Sequence, residues 1–362
     1  MSDVGRVAVI HDWLTGMRGG EAVLEAILET LPTAELFTLF HFSGNVSPAI
    51  ESRVIHTSRL QTLASKVNDY RTLLPLFPRA IRQFDLRAFD TIVSSSHCVA
   101  KGVNARGKPH LSYCHTPMRY VWDRFDDYFP RGARRAAMRP IAAWLRRWDL
   151  KTAAEVTKFV ANSTFVRDRI ARSYQRDAEV IHPFVDDAFF TPPLSDDRDD
   201  VHVIVSALVP YKRVDLAIDA CEAAGKRLVV IGSGPLLPGL RQRSSPNVRF
   251  LGAVSREVII EQLATARSLI LPGVEDFGIT PLEAMALGTP VVAFGEGGAL
   301  DSVAEGSTGI FFREGTVNSL SRALEEVERR EWDRAAIRAR AATFSRARFR
   351  EQFLGALQAT VS

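Results

Sequence analysis

The stretch Gly273-Val274-Glu275-Asp276-Phe277-Gly278-Ile279-Thr280-Pro281-Leu282-Glu283-Ala284-Met285-Ala286-Leu287-Gly288-Thr289-Pro290-Val291-Val292-Ala293-Phe294-Gly295-Glu296-Gly297-Gly298 decides how this chain folds. An apolar run over 268–272 ends just before it and reads as a buried strand. Glu275 and Asp276 then fall on a loop. Thr280 reads as a helix N-cap with Pro281 at the first helical position, and Glu283 lies in the first turn, where the helix dipole favours a carboxylate. Gly288 ends the helix, and 290–294 is the next strand. The order is strand, acidic loop, short helix, strand. It puts the loop at the carboxyl end of a strand, where open α/β sheets bind ligands. The two glutamates flank the helix start, whose free N–H groups suit an anion. Carboxylates grip sugar or ribose hydroxyls and N–H groups hold phosphate, so a nucleotide-sugar would use both. The same residues also fit a plain strand-to-helix turn with two solvated acids, and local physics leaves both readings open.

Upstream of this stretch, 201–208 reads as an apolar strand, and Lys212 and Arg213 lie on the turn into a helix over 215–224. Two cations there can balance a diphosphate, Lys as a point charge and Arg as a planar fork, or simply be surface charge. Residues 228–231 and 249–251 are further strands, and Gly232-Ser233-Gly234 is a tight turn able to approach a nucleotide. Downstream, 309–312 is a last strand, 316–330 a helix, and 332–361 helical and Arg-rich. No internal repeat is visible.

The N-terminal half repeats the alternation of strand and helix. Residues 7–10 form a strand, followed by a loop with Gly16, Gly19 and Gly20 and a helix over 21–31. The Gly pair can let backbone approach a phosphate or sugar, or only make a tight turn. Strands are expected at 35–40, 53–57, 91–93, 110–114, 159–162 and 179–181, with His115 at the end of the fifth of these seven. Residues 118–127 read as an aromatic-rich helix, and Ser163 as the cap of a helix to Tyr174. Two segments mix basic and apolar residues: 59–88, with Arg71, Leu74, Phe77, Arg79, Ile81 and Arg82, and 131–155, with Arg131, Arg139, Trp144, Arg147 and Trp148. Either suits an interfacial helix on anionic lipid or an ordinary helix with a solvated face. The Pro-rich, acidic run over 183–200 reads as a linker; its Asp197-Arg198-Asp199 formally spells D-x-D but reads as solvated charge.

The 362 residues suit two domains, and alternating strands and helices make both α/β with parallel sheets. The formal net charge of +4 is far too weak to argue for nucleic acid. Cys98, Cys114 and Cys221 make no CxxC pair or metal spacing, which points to a reducing compartment. With no signal peptide expected and no apolar run of roughly 18 residues, the reading is cytoplasmic, at most peripheral on a membrane. No G-x-G-x-x-G follows a strand, which disfavours a dehydrogenase, and a sugar-binding protein without catalysis would usually be exported.

Residues 275–283 spell E-x7-E. With Pro290-Val291-Val292-Ala293, Gly297-Gly298, His11-Asp12-Trp13-Leu14-Thr15-Gly16, His115-Thr116-Pro117-Met118-Arg119-Tyr120-Val121-Trp122-Asp123 and Ser206-Ala207-Leu208-Val209-Pro210-Tyr211-Lys212-Arg213, they carry a resemblance over essentially the whole chain. The chain resembles the retaining GT-B glycosyltransferases of family 4 (glycosyl transferases group 1). Within it, the branch is similar to the bacterial enzymes, often mannosyltransferases, that build O-antigen and exopolysaccharide on a lipid carrier.

The resemblance implies two Rossmann-like domains facing across a cleft. Residues 1–185 would bind acceptor, 186–200 link, 201–340 bind the donor, and 341–362 pack back on the first domain. It implies a metal-independent transfer without cofactor, from a nucleotide-sugar, with GDP-mannose as the lead donor, to a saccharide or polyprenyl-diphosphate-linked acceptor at the cytoplasmic face of the inner membrane. By the resemblance, His115, Glu275, Lys212 and Arg213 would serve catalysis. The donor would meet Gly19, Gly20, Lys212, Arg213, Gly232, Gly234, Glu275, Phe277, Gly278, Ile279, Thr280 and Glu283. Lys212 and Arg213 would face the diphosphate, Glu275 the sugar, Glu283 the ribose, and His115 the sugar or acceptor. The family usually carries Arg where this chain has Ala207, which leaves one phosphate contact open or passes it to Arg213. A UDP-sugar-dependent transferase of the same fold, or a nucleotide-sugar epimerase, which would need no acceptor, remains as an alternative.

Overall fold

The computed structural model describes residues 4–67, 69–123, 125–128, 132–194 and 197–362. Arg131 of the basic segment and Asp196 of the acidic run lie outside the described residues. The chain forms two compact units, one of Met1–His182 with Phe349–Ser362, the other of Pro183–Arg348. The divisions thus fall after residues 182 and 348, where the sequence placed them after 185 and 340.

In the first unit, β1 (Val7–His11), β2 (Glu35–Thr38), β3 (Ile55–Thr57), β4 (Thr91–Ser96), β5 (His110–Cys114), β6 (Lys158–Ala161) and β7 (Ala178–Val180) form one sheet in the order β3-β2-β1-β4-β5-β6-β7. All its pairings are parallel. Every residue of β1, β4 and β5 is buried, as central strands of a sheet covered on both faces must be. That explains the apolar run 7–10. It makes the buried polar residues His11, Ser94, Ser95 and Ser96 stand out, because each must find a partner inside the protein.

In the second unit, β8 (His202–Val205), β9 (Leu228–Ile231), β10 (Val248–Gly252), β11 (Ser268–Leu271), β12 (Val291–Phe294) and β13 (Gly309–Phe312) are ordered β10-β9-β8-β11-β12-β13, again all parallel. The helix Thr280–Ala286 buries Leu282, Ala284 and Met285 and packs on the helix Arg334–Ala342 through Ile337 and Ala341.

Several expectations are corrected. Thr280 is the first helical residue rather than the cap, which is Ile279, and Pro281 follows it. Among the described residues of 59–88, no long helix forms. Pro75 and Pro78 break the segment into the short turns Tyr70–Leu76 and Phe77–Ile81, whose Leu73, Leu74, Phe77 and Ile81 are buried in the core. Of 118–127, the described helix is only Phe125–Tyr128, and residues 119–123 are turns. The tail is two helices, Arg334–Ala342 and Arg346–Val361. Within the span read as a linker, Arg198 Nη1 donates to Ala266 O (3.0 Å) and Thr289 Oγ1 (2.7 Å), and Asp199 Oδ2 accepts from Thr265 Oγ1 (2.6 Å). These charges hold the segment to the second unit. Among the described residues, no helix is long and apolar enough to cross a membrane.

The second basic segment does form a helix, Ala133–Ala153, with Leu145 buried and Trp144 and Leu150 exposed. Its Asp149 is buried and faces Lys101, whose Nζ lies 2.7 Å from Oδ1, while Oδ2 accepts from Trp122 Nε1 (2.7 Å) and the Tyr174 hydroxyl (2.8 Å). Asp149 is therefore an internal anchor of that helix.

Candidate active site

Each sheet reverses its strand order once, and the crevice at such a reversal is where open α/β sheets hold ligands. In the second unit the reversal lies between β8 and β11. The chain leaving β8 makes a tight turn at Pro210–Lys212, and the chain leaving β11 is the acidic loop. They meet at Gly273, where a Cβ would lie 2.6 Å from Tyr211 O and 2.9 Å from Lys212 Cα, so only glycine lets the loops close. Closure brings Lys212 Nζ into an ion pair with Glu275 Oε1, with the side chains only 16% and 14% exposed. The backbone of Glu275 is held from the other side by the Gly298 N–H, which donates to its carbonyl at 2.9 Å. Gly297, at φ +79°, would place a Cβ 2.4 Å from that carbonyl oxygen.

Gly232 and Gly234 clamp the same region. A Cβ on Gly232 would come within 1.9 Å of Ser206 O, and one on Gly234 within 2.4 Å of Leu208 O. Their absence of side chains serves backbone packing that fixes the 206–213 loop. Ala207 is exposed on that loop. Arg213 adopts a left-handed backbone (φ +52°) and keeps a half-exposed guanidinium 3.7 Å from Asp215 Oδ2. Phe277 is buried with its ring 6.0 Å from that of Phe344, so its side chain belongs to the core and only its backbone is left for a ligand. Gly278 supplies the left-handed turn (φ +84°), and the Ile279 carbonyl accepts from Leu282 and Glu283 N–H at 2.8 and 3.1 Å.

Glu283 stands apart from the Lys212–Glu275 pair. Burial pushes its carboxyl up to about 7, with Arg256 pulling it down and Asp186 adding to the rise. Its side chain keeps partial solvent contact, so desolvation here is local to the carboxyl rather than complete. Arg256 Nη1 is itself paired with Asp186 Oδ2 at 2.9 Å. A carboxyl held near neutrality without a counter-ion of its own is a group set to accept hydrogen bonds from a ligand.

In the first unit the reversal lies between β1 and β4. Asp12, fully buried just after β1, accepts four backbone N–H groups: His97 (2.7 Å) and Cys98 (2.9 Å) at Oδ2, Val99 (2.6 Å) and Ala100 (2.7 Å) at Oδ1. It ties the loop after β4 to the loop after β1. Gly19 and Gly20 open the helix Gly19–Thr30, and a Cβ on Gly20 would lie 3.8 Å from His115 Nε2. His115 Nε2 is 2.8 Å from Ser95 Oγ, and the Asn162 side chain donates to the His115 carbonyl at 3.0 Å. Burial drives the His115 pKa well below its ordinary value, and the nearby His97, His11 and Arg119 push the same way, so the ring is neutral at neutral pH.

The structure thus brings Lys212 and Glu275 together, sets Arg213 at the edge of the same turn, and places His115 against Gly20. His97, Ser95 and Glu21 were not singled out by the sequence. For Ser95 and the following His97 the signal was the polar row Ser94-Ser95-Ser96 ending an otherwise apolar, fully buried strand, and Glu21 carried none. Asp186 and Arg256 carried no such signal.

A family profile described as Glycosyl transferases group 1 matches residues 185–344, and one described as Glycosyltransferase Family 4 matches residues 17–189. The chain is 31% identical over 204 residues to the GDP-mannose-dependent monoacylated alpha-(1-6)-phosphatidylinositol monomannoside mannosyltransferase of Corynebacterium glutamicum, covering 49% of this chain and 53% of that protein. It is 30% identical over 223 residues to the GDP-mannose-dependent alpha-(1-6)-phosphatidylinositol monomannoside mannosyltransferase of Mycobacterium tuberculosis, covering 53% and 57%. The chain spans about half the length of the curated relatives it matches. Among solved structures, Anabaena HepE in complex with UDP-glucose superposes with a TM-score of 0.70 at 18% identity, covering 98% of this chain and 99% of that one. Sucrose-phosphate synthase of Thermosynechococcus elongatus gives 0.71 at 16%, covering 97% and 98%. At these identities the likeness shows the fold alone, the two-domain GT-B architecture. The two profiles run together from residue 17 to residue 344, and the chain belongs to the family 4 glycosyltransferases, glycosyl transferases group 1.

Proposed function

We propose that the chain is a retaining hexosyltransferase that moves mannose from GDP-mannose to a lipid-linked saccharide in cell-surface polysaccharide synthesis, without a metal ion. The observation that carries this reading is the Lys212–Glu275 pair at the strand-order reversal of the second unit, held by glycines whose positions admit no side chain. In this reading Lys212 and Arg213 neutralise the departing diphosphate, Glu275 holds the sugar hydroxyls, Glu283 accepts from the ribose hydroxyls, and His115 orients the sugar or acceptor. The bond from the anomeric carbon to the diphosphate breaks as the acceptor oxygen bonds to the same face. The acceptor proton passes to the departing phosphate oxygen, so no protein nucleophile is needed. The names of the relatives at about 30% identity support mannose and GDP as the lead.

A thermal-shift and hydrolysis panel of GDP, UDP, ADP and their sugars, in chelator, tests the proposal, because a bound ligand stabilises by mass action. A GDP-selective shift with hydrolysis of GDP-mannose is expected. A UDP-selective shift would overturn the donor, and activity only with added metal would overturn the electrostatic role given to Lys212 and Arg213.

For the acceptor's lipid, the helix Ala133–Ala153 offers a docking face in this reading. Trp144 and Leu150 are exposed there among exposed Arg139, Arg147 and Lys151, and aromatic and basic residues in this arrangement favour anionic bilayer surfaces. Co-flotation with anionic vesicles should fall in Trp144→Ala, and equal recovery with neutral vesicles would remove this part of the proposal.

A further inference from the structure

We propose that Glu21, His11 and Ser95 are positioning residues that set the polarity of His115, so that its ring keeps the proton on Nε2 and offers a bare Nδ1 to a hydroxyl. This rests on the reading of His115 as part of the transfer site, but the tautomer is measurable without any transfer assay.

The chain of contacts follows from strand register. His11 and Ser95 are paired across β1 and β4, and Ser95 is paired with Tyr113 on β5, two residues before His115. Parallel neighbours in register point to one face. The Ser95 hydroxyl therefore sits between two rings, 3.1 Å from His11 Nδ1 and 2.8 Å from His115 Nε2, and it is fully buried. A serine hydroxyl has one proton to give, so if it donates to one ring it must accept from the other. The heavy atoms alone permit either direction.

The far end decides. His11 is fully buried, and its Nε2 has no hydrogen-bond partner among the described residues but lies 3.8 Å from Glu21 Oε1. The other Glu21 oxygen accepts the Arg18 backbone N–H at 3.1 Å, which holds the carboxylate in place at the start of the helix. Between buried groups, a bare ring nitrogen facing a carboxylate is repulsive, and an N–H there is attractive. Burial opposes the Glu21 charge, but the facing His11 ring, the nearby His97 and a backbone N–H together hold its pKa below the ordinary value, so the carboxylate is ionised. A His11 ring that carries a single proton therefore keeps it on Nε2, facing Glu21, and accepts from Ser95 through Nδ1. Ser95 in turn accepts from His115 Nε2–H. His115 Nδ1 makes no hydrogen bond among the described residues and is left as an acceptor. A ring in this state takes a hydrogen bond from a hydroxyl and gives none to a phosphate oxygen. His115 is thereby matched to a sugar or acceptor hydroxyl.

The test is long-range proton–nitrogen correlation on the full chain with nitrogen-15 histidine, at a pH where the rings are neutral, with the His115 signals assigned by their loss in His115→Asn. His115 is expected as a single Nε2–H tautomer whose proton exchanges slowly. Ser95→Ala should abolish the slow exchange. Glu21→Gln should lose the single tautomer, because an amide can donate to a bare His11 Nε2 and release the bias. Ser95→Thr, which keeps a hydroxyl, should restore the wild-type spectrum. A wild-type Nδ1–H tautomer, or spectra unchanged in both Glu21→Gln and Ser95→Ala, overturns the proposal. If the spectra behave as expected but Ser95→Ala leaves kcat and KM for transfer unchanged, the polarity stands and the role of His115 in transfer fails.

Discussion

Replacing Glu283 by Gln should stabilise the protein above neutral pH and leave its stability nearly unchanged under mild acid. Burial lifts this carboxyl from an ordinary value of 4.5 to about 7, which means the fold opposes its ionisation. Between those two values the unfolded chain releases a proton that the folded chain keeps. Glu283 therefore contributes a stability that falls as pH rises from 4.5 toward about 7 and stays low above it. At about 1.36 kcal/mol per pH unit, that gap sets a ceiling of roughly 3 kcal/mol on the cost of the charge. Partial solvent contact screens part of it, so a gain of about 1–2 kcal/mol is expected for Glu283→Gln at alkaline pH. For a unit of this size that corresponds to a Tm rise of about 2–8 °C. Differential scanning fluorimetry of wild type and variant, above pH 7 and again near the ordinary carboxyl pKa, reads the difference directly. A pH-independent difference, or destabilisation at both, would refute the reasoning. If Glu283 accepts from the donor's ribose, the same variant binds nucleotide more weakly while being more stable, which is the pattern of a strained functional site.

Asp12→Asn should lower stability by at least about 3 kcal/mol, since it weakens four charge-assisted bonds worth about 1.5–3 kcal/mol each; urea unfolding measures it, and a loss below 1 kcal/mol would contradict the structural role. Glu328 is held at about 2, chiefly by its hydrogen bond with His202, with Lys226 adding to it. Its stabilisation is present above 4.5 and lost as pH falls toward 2, so the Tm gap between wild type and Glu328→Gln should narrow steadily on acidification, and a constant gap would refute it.

The strands were legible because buried parallel strands write continuous apolar runs, as at 7–10 and 290–294. Glu275 and Lys212 were legible as motif residues, but their pairing was not, because it depends on two loops 63 positions apart closing over Gly273. Gly232 and Gly234 are required by backbone contact, which the sequence cannot distinguish from ligand approach. The 59–88 segment left two readings open because its basic residues flank apolar ones at helical spacing while Pro75 and Pro78 break the period, and the apolar residues Leu73, Leu74, Phe77 and Ile81 are buried. The His11–Ser95–His115 chain was invisible because register between strands joins residues that sequence spacing keeps 84 and 20 positions apart.

In the proposed function Lys212 and Glu275 divide the donor between them, the cation taking diphosphate and the carboxylate taking sugar. Isothermal titration of GDP into wild type, Lys212→Ala and Glu275→Ala, with turnover of GDP-mannose measured on the same samples, tests it most directly. A lost charge-assisted bond of about 1.5–3 kcal/mol predicts roughly 10- to 150-fold weaker GDP binding in Lys212→Ala. Glu275→Ala should bind GDP within about threefold of wild type while losing most of its turnover. Unchanged GDP affinity in Lys212→Ala, or full turnover in Glu275→Ala, would contradict the account.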